Sequence, residues 1–318
     1  MPDSLDVRWR LVEVPGFNPR TVASGYPGPT VGGDVDGRGA LVSVHGGSTE
    51  VIELGGAPVT SLDNSSGYVA IAGGTVWAGQ GLEDLEPFTP SVEGAAAVAG
   101  WATCADTDDR AVLVFETPDG AALGVWGYEF GDGLVPVPNR LFLRGDADDV
   151  VVTSSQGGLV IAGPLDDGTP VEGPTAWACA DPDFGDEPWR RLPLDPAATA
   201  ITGAAGWTLD WCLAGRAGTH VVVWGYDGTA VPVPALTVEG PTDRVLLARC
   251  PVDSDDLRNL LVVTATEDSA TVHAVDGIGW RSAAMPGGRL ADVTHVDTDD
   301  GEVLVAVVGG RIFVGELG

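Results

Sequence analysis

The stretch VWGYEFGDGLVPVP, residues 125–138, recurs 98 residues later as VWGYDGTAVPVP, residues 223–234. This interval is about twice the ~45-residue period of repeats that each fold into one small four-stranded sheet. A further unit is therefore expected between the two copies. The segment TAWACADPDFGDEPWRRLPL, centred on Trp177, has the same character and lies there. The sequence thus predicts an internal repeat of one supersecondary unit.

One position of this repeat holds an aromatic residue or a histidine after a small apolar residue. Its occurrences are separated by 32, 49, 51, 47, 49 and 40 residues, and 50 residues separate the last from the first round the chain ends. Seven occurrences predict seven units. Because large flat side chains in mid-strand fill gaps between packed sheets, we interpret them as packing residues rather than as platforms for sugars. The occupants are His45, Trp77, Trp126, Trp177, Trp224, His273 and Phe313.

Four short strands recur around each of these positions, joined by turns rich in Gly, Asp and Pro. Two apolar strands come first, the strand with the repeated position is third, and a fourth ends in proline, as in EPFTP and WRRLP. Strands of this length with such turns form antiparallel meanders. The sequence therefore predicts an all-β fold, a seven-bladed β-propeller with WD40-like architecture, as a single domain over residues 1–318.

The seventh unit has only three strands before the sequence ends at Gly318. Near the N-terminus, LDVRWRLVEVPG resembles the fourth-strand segments PWRRLPLD and GWRSAAMPG. We expect this N-terminal strand, at about residues 5–14, to complete the blade formed by about residues 289–318. Such closure protects the sheet edges at which a ring would otherwise open.

Two of the units resemble the Asp-box, or BNR-type, repeat of sialidase-like propellers, which also occurs in many uncharacterised actinobacterial proteins. In WACADPDFGDEPWRRLPLDPA, the positions that fit are Asp181, Gly185 and Trp189, with Cys179 where the repeat has Ser. VHAVDGIGW is a shortened version, with Asp276, Gly277 and Trp280. The resemblance implies the fold and not an activity, because propellers serve as enzymes, lectins and scaffolds alike.

The composition favours some partners and disfavours others. The formal net charge is −30, and all 16 basic residues are arginines. An acidic surface repels nucleic acid and anionic membranes, so we expect neither as a partner. No apolar run is long enough to cross a membrane, and we read no signal peptide, so a cytoplasmic location is expected, with a secreted mature chain left open. The four cysteines lack metal spacing, and we expect no cofactor and no metal ion.

Three arginines open innermost strands in the predicted register. Arg20 precedes TVAS, Arg244 precedes VLLA and Arg289 precedes LADV. The first, sixth and seventh blades that hold them are neighbours once the ring closes. Guanidinium groups bind carboxylate and phosphate through two parallel hydrogen bonds, so this cluster could form an anion site at the channel mouth. The alternative is that each arginine pairs with a nearby carboxylate, such as Asp243 or Asp292.

Another histidine, His295, lies in DVTHVDTDD, close to Asp297, Asp299 and Asp300. Its functional interpretation is a metal or acid–base site. The interpretation that we favour from the sequence is a solvated turn that follows a strand.

Two functions follow from these patterns. The first is a non-catalytic binding or scaffolding propeller that presents loops to a protein partner. The second is a propeller that binds or processes an anionic carbohydrate or metabolite, in a sialidase-like or lectin-like manner, through Arg20, Arg244 and Arg289. The Tyr nucleophile with a Glu partner that sialidases use has no clear counterpart, so no catalytic residue is assigned and an enzyme is not favoured.

Overall fold

The structure, a computed structural model, describes most of the chain. The described ranges are 4–25, 28–45, 48–63, 67–88, 97–105, 110–116, 123–129, 133–135, 141–145, 149–155, 158–169, 172–179, 189–207, 210–225, 227–238, 244–249, 259–276, 279–298 and 301–318. Among these residues, short β-strands make up nearly all the regular structure, and the one helix is a single 3₁₀ turn at Leu82–Asp84. No helix in the described ranges is long and apolar enough to cross a bilayer.

Six antiparallel sheets are each built from consecutive strands. The first contains β2 (Phe17–Ala23), β3 (Thr30–Val35), β4 (Arg38–His45) and β5 (Ser48–Gly55). The second contains β6 (Val59–Asp63), β7 (Tyr68–Ala72), β8 (Thr75–Gly79) and β9 (Glu86–Phe88). The third contains β10 (Ala97–Ala105), β11 (Arg110–Glu116), β12 (Leu123–Glu129), β13 (Gly133–Val135) and β14 (Phe142–Leu143).

The other three consecutive sheets follow the same order. The fourth contains β15 (Val151–Ser155), β16 (Gly158–Gly163), β17 (Thr175–Cys179) and β18 (Arg190–Arg191). The fifth contains β19 (Ala200–Trp207), β20 (Asp210–Ala217) and β21 (His220–Trp224). The sixth contains β22 (Arg244–Arg249), β23 (Leu261–Ala265), β24 (Ala270–Asp276) and β25 (Gly279–Ala284).

A further sheet joins the two ends of the chain, and we call it the closing sheet. It contains β26 (Leu290–Thr298), β27 (Gly301–Val308), β28 (Arg311–Leu317) and β1 (Val7–Val12), in the order β1-β28-β27-β26. β1 pairs with β28 over its whole length, from Val7 opposite Leu317 to Val12 opposite Ile312. The ring of sheets is thus held shut by hydrogen bonds between the first and last strands.

The innermost strand of each sheet lies beside that of the next. The strands β2, β6, β10, β15, β19, β22 and β26 are in contact in this order, and β26 returns to β2. A closed cycle of inner strands is the defining feature of a propeller. The predicted all-β propeller class is therefore confirmed.

Each repeated position lies on the third strand of its sheet, counted outward from the innermost strand. Trp77 is on β8, Trp126 on β12, Trp177 on β17, Trp224 on β21, His273 on β24 and Phe313 on β28. His45 is on β4 but is its last residue, paired with Ser48 beside the turn, whereas His273 and Phe313 pair with neighbours on both sides in mid-strand. The predicted register of the first unit was therefore wrong, because the spacing of 32 residues to Trp77 is short for one blade.

Apolar side chains pack between neighbouring sheets. Trp224 has no exposed surface. It lies in an apolar cluster with Ala178 on β17 and Leu192 directly after β18, both from the fourth sheet, and with Leu213 of its own sheet. The interpretation of this residue as packing between blades is confirmed. The described cysteines, Cys179 and Cys212, are buried and form no disulfide with each other, as their apolar surroundings predict.

The tight turn between β3 and β4 positions a carboxylate. Val35 pairs with Arg38, and Asp36 and Gly37 between them have φ angles of 52° and 79°. Both angles are left-handed, which a two-residue hairpin requires and which the Asp-Gly pair tolerates. The turn directs the Gly37 N–H to a carboxylate oxygen of Asp34, at 3.1 Å.

Candidate functional site at the central channel

The inner strands surround a channel with a volume of about 620 Å³. Described residues from six inner strands line it, and the predicted site residues Arg20, Arg244 and Arg289 are among them. The channel is therefore the place at which the fold brings these three arginines together along one surface.

Neighbouring inner strands run in the same direction through the channel. Near the start of β19, the Thr202 hydroxyl donates to the Val245 carbonyl near the start of β22, at 2.9 Å. The prediction that Arg20 opens its strand was wrong, because β2 already begins at Phe17; the adjacent Thr21 hydroxyl still donates to Asp292 near the start of β26, at 2.7 Å. Near the ends of their strands, Arg249 of β22 lies 3.4 Å from His295 of β26. Starts thus meet starts and ends meet ends, so the channel has a strand-start mouth, with Arg20, Arg244 and Arg289, and a strand-end mouth, with Arg249 and His295.

At the strand-start mouth, Arg20 is engaged by a neighbouring strand. Its Nε donates to Asp34 at 3.1 Å, and the Asp34 side chain is only 5% exposed. Hydrogen bonds from Asn18, then from Arg20 and Gly37, hold the pKa of Asp34 below its usual value, although burial opposes the change. The alternative that arginines pair with acids thus holds for Arg20, but the partner is Asp34.

Arg244 and Arg289 differ from Arg20 in this respect. No carboxylate of the described residues lies within ion-pairing distance of either guanidinium; Asp243 is outside the described ranges. Arg244 is exposed at the start of β22, and Arg289 is exposed directly before β26. Both charges are open to the channel mouth.

The second acid considered from the sequence, Asp292, joins the closing sheet to the first sheet. One of its oxygens accepts from the Thr21 hydroxyl at 2.7 Å and from the Val22 N–H at 2.9 Å. The other accepts from the Val293 N–H at 2.8 Å. Burial raises the pKa of Asp292, while these hydrogen bonds and, last, the charge of Arg244 oppose the rise. Asp292 therefore stabilises the joint between β26 and β2 rather than forming an ion pair.

At the strand-end mouth, a cluster of four charged or titratable side chains spans two sheets. Arg249 is 9% exposed and donates to Glu302 Oε1 at 2.9 Å, and its Nη2 lies 3.7 Å from Asp297 Oδ2. His295 is 1% exposed, and its Nε2 faces Asp297 Oδ1 at 3.8 Å and Glu302 Oε2 at 3.6 Å. We call these residues the Arg249–His295 cluster.

The strand register explains why this cluster forms. Asp297 is two residues after His295 on β26, so the two side chains leave the same face of the strand. Asp297 pairs directly with Glu302 on β27, which places their side chains next to each other. The prediction that His295 lies in a solvated turn was therefore wrong, because β26 continues to Thr298 and buries the ring.

The side chains of the cluster change the pKa values of His295 and Glu302. Burial, and then the charge of Arg249, lower the pKa of His295, against the opposing effect of Asp297 and Glu302. Burial would raise the pKa of Glu302, but the hydrogen bond and charge of Arg249 lower it below its usual value. The cluster thus holds Arg249 and Glu302 as ions and favours a neutral His295 at neutral pH.

Sequence reasoning missed Arg249 and Glu302. The alternation of His295 and Asp297 on one strand was a usable signal, and Glu302 follows in the same hairpin. Nothing local could have pointed to Arg249, since it belongs to another sheet, 46 residues before His295. Of the Asp-box positions, Asp181, Gly185 and Gly277 lie outside the described residues, so the Asp-box identity stays a prediction.

Comparison with solved structures supports the fold. No protein-family profile matches the sequence, and no curated protein matches it either. A crystal structure of BBS1N in complex with ARL6DN is similar to this chain at a TM-score of 0.59 and 12% identity, over 99% of this chain and 98% of that one. A chain in the crystal structure of the mitotic checkpoint complex is similar at a TM-score of 0.57 and 12% identity, over 97% and 94% of the two chains. At such identities the likeness establishes a propeller fold and nothing finer.

Proposed function

We propose that this protein is a non-catalytic binding propeller that presents its loops to a protein partner. In this proposal the ring has seven blades, six of consecutive strands and one, the closing sheet, shared by the two ends of the chain. The observation that carries the proposal is this closure: β1 pairs with β28 along its whole length, so the loops are displayed on a ring with fixed geometry. Two structural neighbours, each matched over nearly all of both chains, come from protein complexes, and this is consistent with the proposal.

The charge of the chain indicates the kind of partner. With a net charge of −30, the surface favours a protein whose contacting patch is basic, because complementary potentials speed association and suppress wrong partners. Binding to such a patch weakens as salt screens the charges.

The test is a capture experiment with sets of loop variants. Alanine substitutions in the loops of one face should abolish capture of a specific partner from cell extract, while the same number of substitutions on the other face should not. Raising the ionic strength from 0.05 to about 0.5 M should weaken the same interaction, since the Debye length falls from roughly 14 to 4 Å. Capture that survives every loop set on both faces would sink the proposal.

A second function is favoured by one observation at the strand-start mouth. Arg244 and Arg289 line the same channel as Arg20, and no described carboxylate pairs with either. Unpaired arginines on a protein of net charge −30 are suited to binding a small anion, such as a metabolite carboxylate or an acidic glycan.

This candidate is tested by calorimetric titration with citrate, inorganic phosphate and N-acetylneuraminate. Arg244→Ala and Arg289→Ala should each weaken binding of any anion that binds the wild type. Arg38→Ala is the matched control, because Arg38 is exposed and pairs with Glu53 at 2.8 Å outside the channel. Equal binding by the wild type and both channel variants would exclude the anion site.

A further inference from the structure

His295 Nε2 faces the Arg249 guanidinium and two carboxylate oxygens, and all three contacts are long: Arg249 Nη1 lies 3.4 Å from it. His295 Nε2 lies 3.6 Å from Glu302 Oε2 and 3.8 Å from Asp297 Oδ1. Hydrogen bonds between nitrogen and oxygen have lengths of about 2.7–3.2 Å, so neither contact is one. Two ligands of one tetrahedral zinc ion, each at about 2.1 Å, are separated by about 3.4 Å. The three ligand atoms thus have a spacing that suits one metal ion, which would take the place of the Arg249 Nη1 contact at Nε2.

Arg249 uses the oxygens that the histidine does not face. Its Nη1 contacts Glu302 Oε1 and its Nη2 approaches Asp297 Oδ2, whereas Glu302 Oε2 and Asp297 Oδ1 face His295. Carboxylates that bind metal ions are commonly oriented in this way by a partner on their other oxygen. With both carboxylates ionised and Arg249 charged, the cluster has a net charge of about −1, which still attracts a divalent cation.

The two sides of the His295 ring differ in their surroundings. Nδ1 is buried, and no described residue forms a hydrogen bond with it. On the Nε2 side, the described polar neighbours of the ring are Arg249, Asp297 and Glu302, and the His295 side chain is 1% exposed. The two carboxylates are 47% exposed, so an ion can reach the space from solvent.

We propose that His295, Asp297 and Glu302 bind one divalent transition-metal ion at the strand-end mouth. One imidazole nitrogen and two carboxylate oxygens, all within 4.8 Å of one another, form the ligand set, and water would complete the coordination. Such mixed ligands suit Zn²⁺ and Mn²⁺. The sequence had led us to expect no metal. The site is independent of the proposed partner binding.

The experiment is titration of the purified chain with ZnCl₂ by calorimetry and with MnCl₂ by electron paramagnetic resonance. The wild type should bind one ion per chain. Glu302→Gln keeps the oxygen that accepts from Arg249 and replaces the ligating oxygen with an amide nitrogen; it should weaken binding at least about tenfold, as loss of even an outer-shell partner does. His295→Ala should weaken it further.

His220→Ala and Asp268→Asn are matched controls, because both residues are exposed and lie outside the cluster. They should bind the ion like the wild type. If His295→Ala does not fold, Glu302→Gln decides the question. A wild-type chain that binds neither ion, or a Glu302→Gln variant that binds as tightly as the wild type, would overturn the proposal.

Discussion

The two mouths of the channel use arginine in opposite ways. At the strand-start mouth, Arg244 and Arg289 are exposed and have no ion-pair partner among the described carboxylates. At the strand-end mouth, Arg249 is 9% exposed and lies between Asp297 and Glu302. An arginine paired with two carboxylates stabilises the fold, whereas an arginine without such partners is available to bind a ligand. The difference teaches that arginines at the two ends of one inner strand, β22, acquire different roles, because the closing sheet supplies Asp297 and Glu302 at only one of those ends.

The largest effect should come from removing the outermost strand of the closing sheet, whose innermost strand, β26, reaches both mouths. Deleting residues 1–12 removes Leu5, Val7 and Trp9 from the apolar cluster that includes Leu304 of the closing sheet. At about 1.5–3 kcal/mol for each such side chain, the free energy of unfolding should fall by at least about 5 kcal/mol. Chemical denaturation followed by circular dichroism measures this loss.

Arg8→Ala is the control for the deletion, because the Arg8 side chain is 80% exposed on the same strand. It should change the free energy of unfolding by less than about 0.5 kcal/mol. A truncated chain with wild-type stability would show that the closing sheet does not hold the two mouths together.

The next effect is the pH dependence of stability caused by His273, a histidine outside the Arg249–His295 cluster. His273 is buried away from charged groups, with hydroxyl partners Thr264 at 2.9 Å and Ser282 at 2.8 Å. Burial lowers the pKa of His273 to about 4. Since the unfolded chain binds this proton near pH 6.5, stability present above pH 6.5 should be lost as the pH falls towards 4, by about 3 kcal/mol.

Denaturation curves across this pH range measure the change. His273→Gln, which retains hydrogen-bonding groups, should flatten it, and whatever dependence remains includes that of the strand-end mouth. If the variant keeps the full slope, the titration belongs to other groups.

A smaller effect tests the contrast between the arginines directly. Arg249→Met leaves Asp297 and Glu302 next to each other without their cation, so the free energy of unfolding should fall by about 2 kcal/mol, within the range for hydrogen bonds to charged groups. Arg289→Met should cost less than about 0.5 kcal/mol, because Arg289 is exposed and has no described ion-pair partner. Equal losses in the two variants would remove the distinction between the mouths.

The smallest effect is a change in anion affinity at the strand-start mouth, and it applies to any anion that binds the wild-type protein there. Arg244→Ala should weaken its binding about tenfold, equivalent to ~1.4 kcal/mol. Arg20→Ala should weaken it less, since Arg20 already donates to Asp34 at 3.1 Å. Calorimetric titration distinguishes the two, and a larger loss in Arg20→Ala would reverse this order.

The repeat itself was readable from the sequence because strong apolar strands alternate with turn residues. RAVLVFE, NLLVVTAT and EVLVAVVGG coincide with β11, β23 and β27. The strand β6, VTSLD, was missed because its polar residues interrupt the apolar pattern. The second VPVP, residues 231–234, is a further segment of the kind that predicts a fourth strand, but it forms none in the described fifth sheet. Val231 donates to the Val223 carbonyl at 2.8 Å, whereas Pro232 and Pro234 have no N–H with which to continue the pairing.

The sites were predictable only in part, for a geometric reason. Arg20, Arg244 and Arg289 all line the channel, although they do not share one offset: Arg20 lies in the middle of β2, Arg244 begins β22 and Arg289 precedes β26. The pairing of Arg249 with Glu302 joins residues 53 apart on different sheets. It depends on how neighbouring blades are offset, which local sequence patterns do not determine.

The pairing of β1 with β28 also has a consequence for synthesis. During translation the strand at Val7–Val12 is made first, and its partner at Arg311–Leu317 is made last, about 300 residues later. At 5–20 residues per second, the first strand waits roughly 15–60 s for its partner. Gly315 must then accept the Trp9 ring, which lies so close that a Cβ added at Gly315 would be 2.9 Å from it. Every nascent chain therefore carries an unpaired first strand until β28 has been made, and unpaired strand edges favour aggregation.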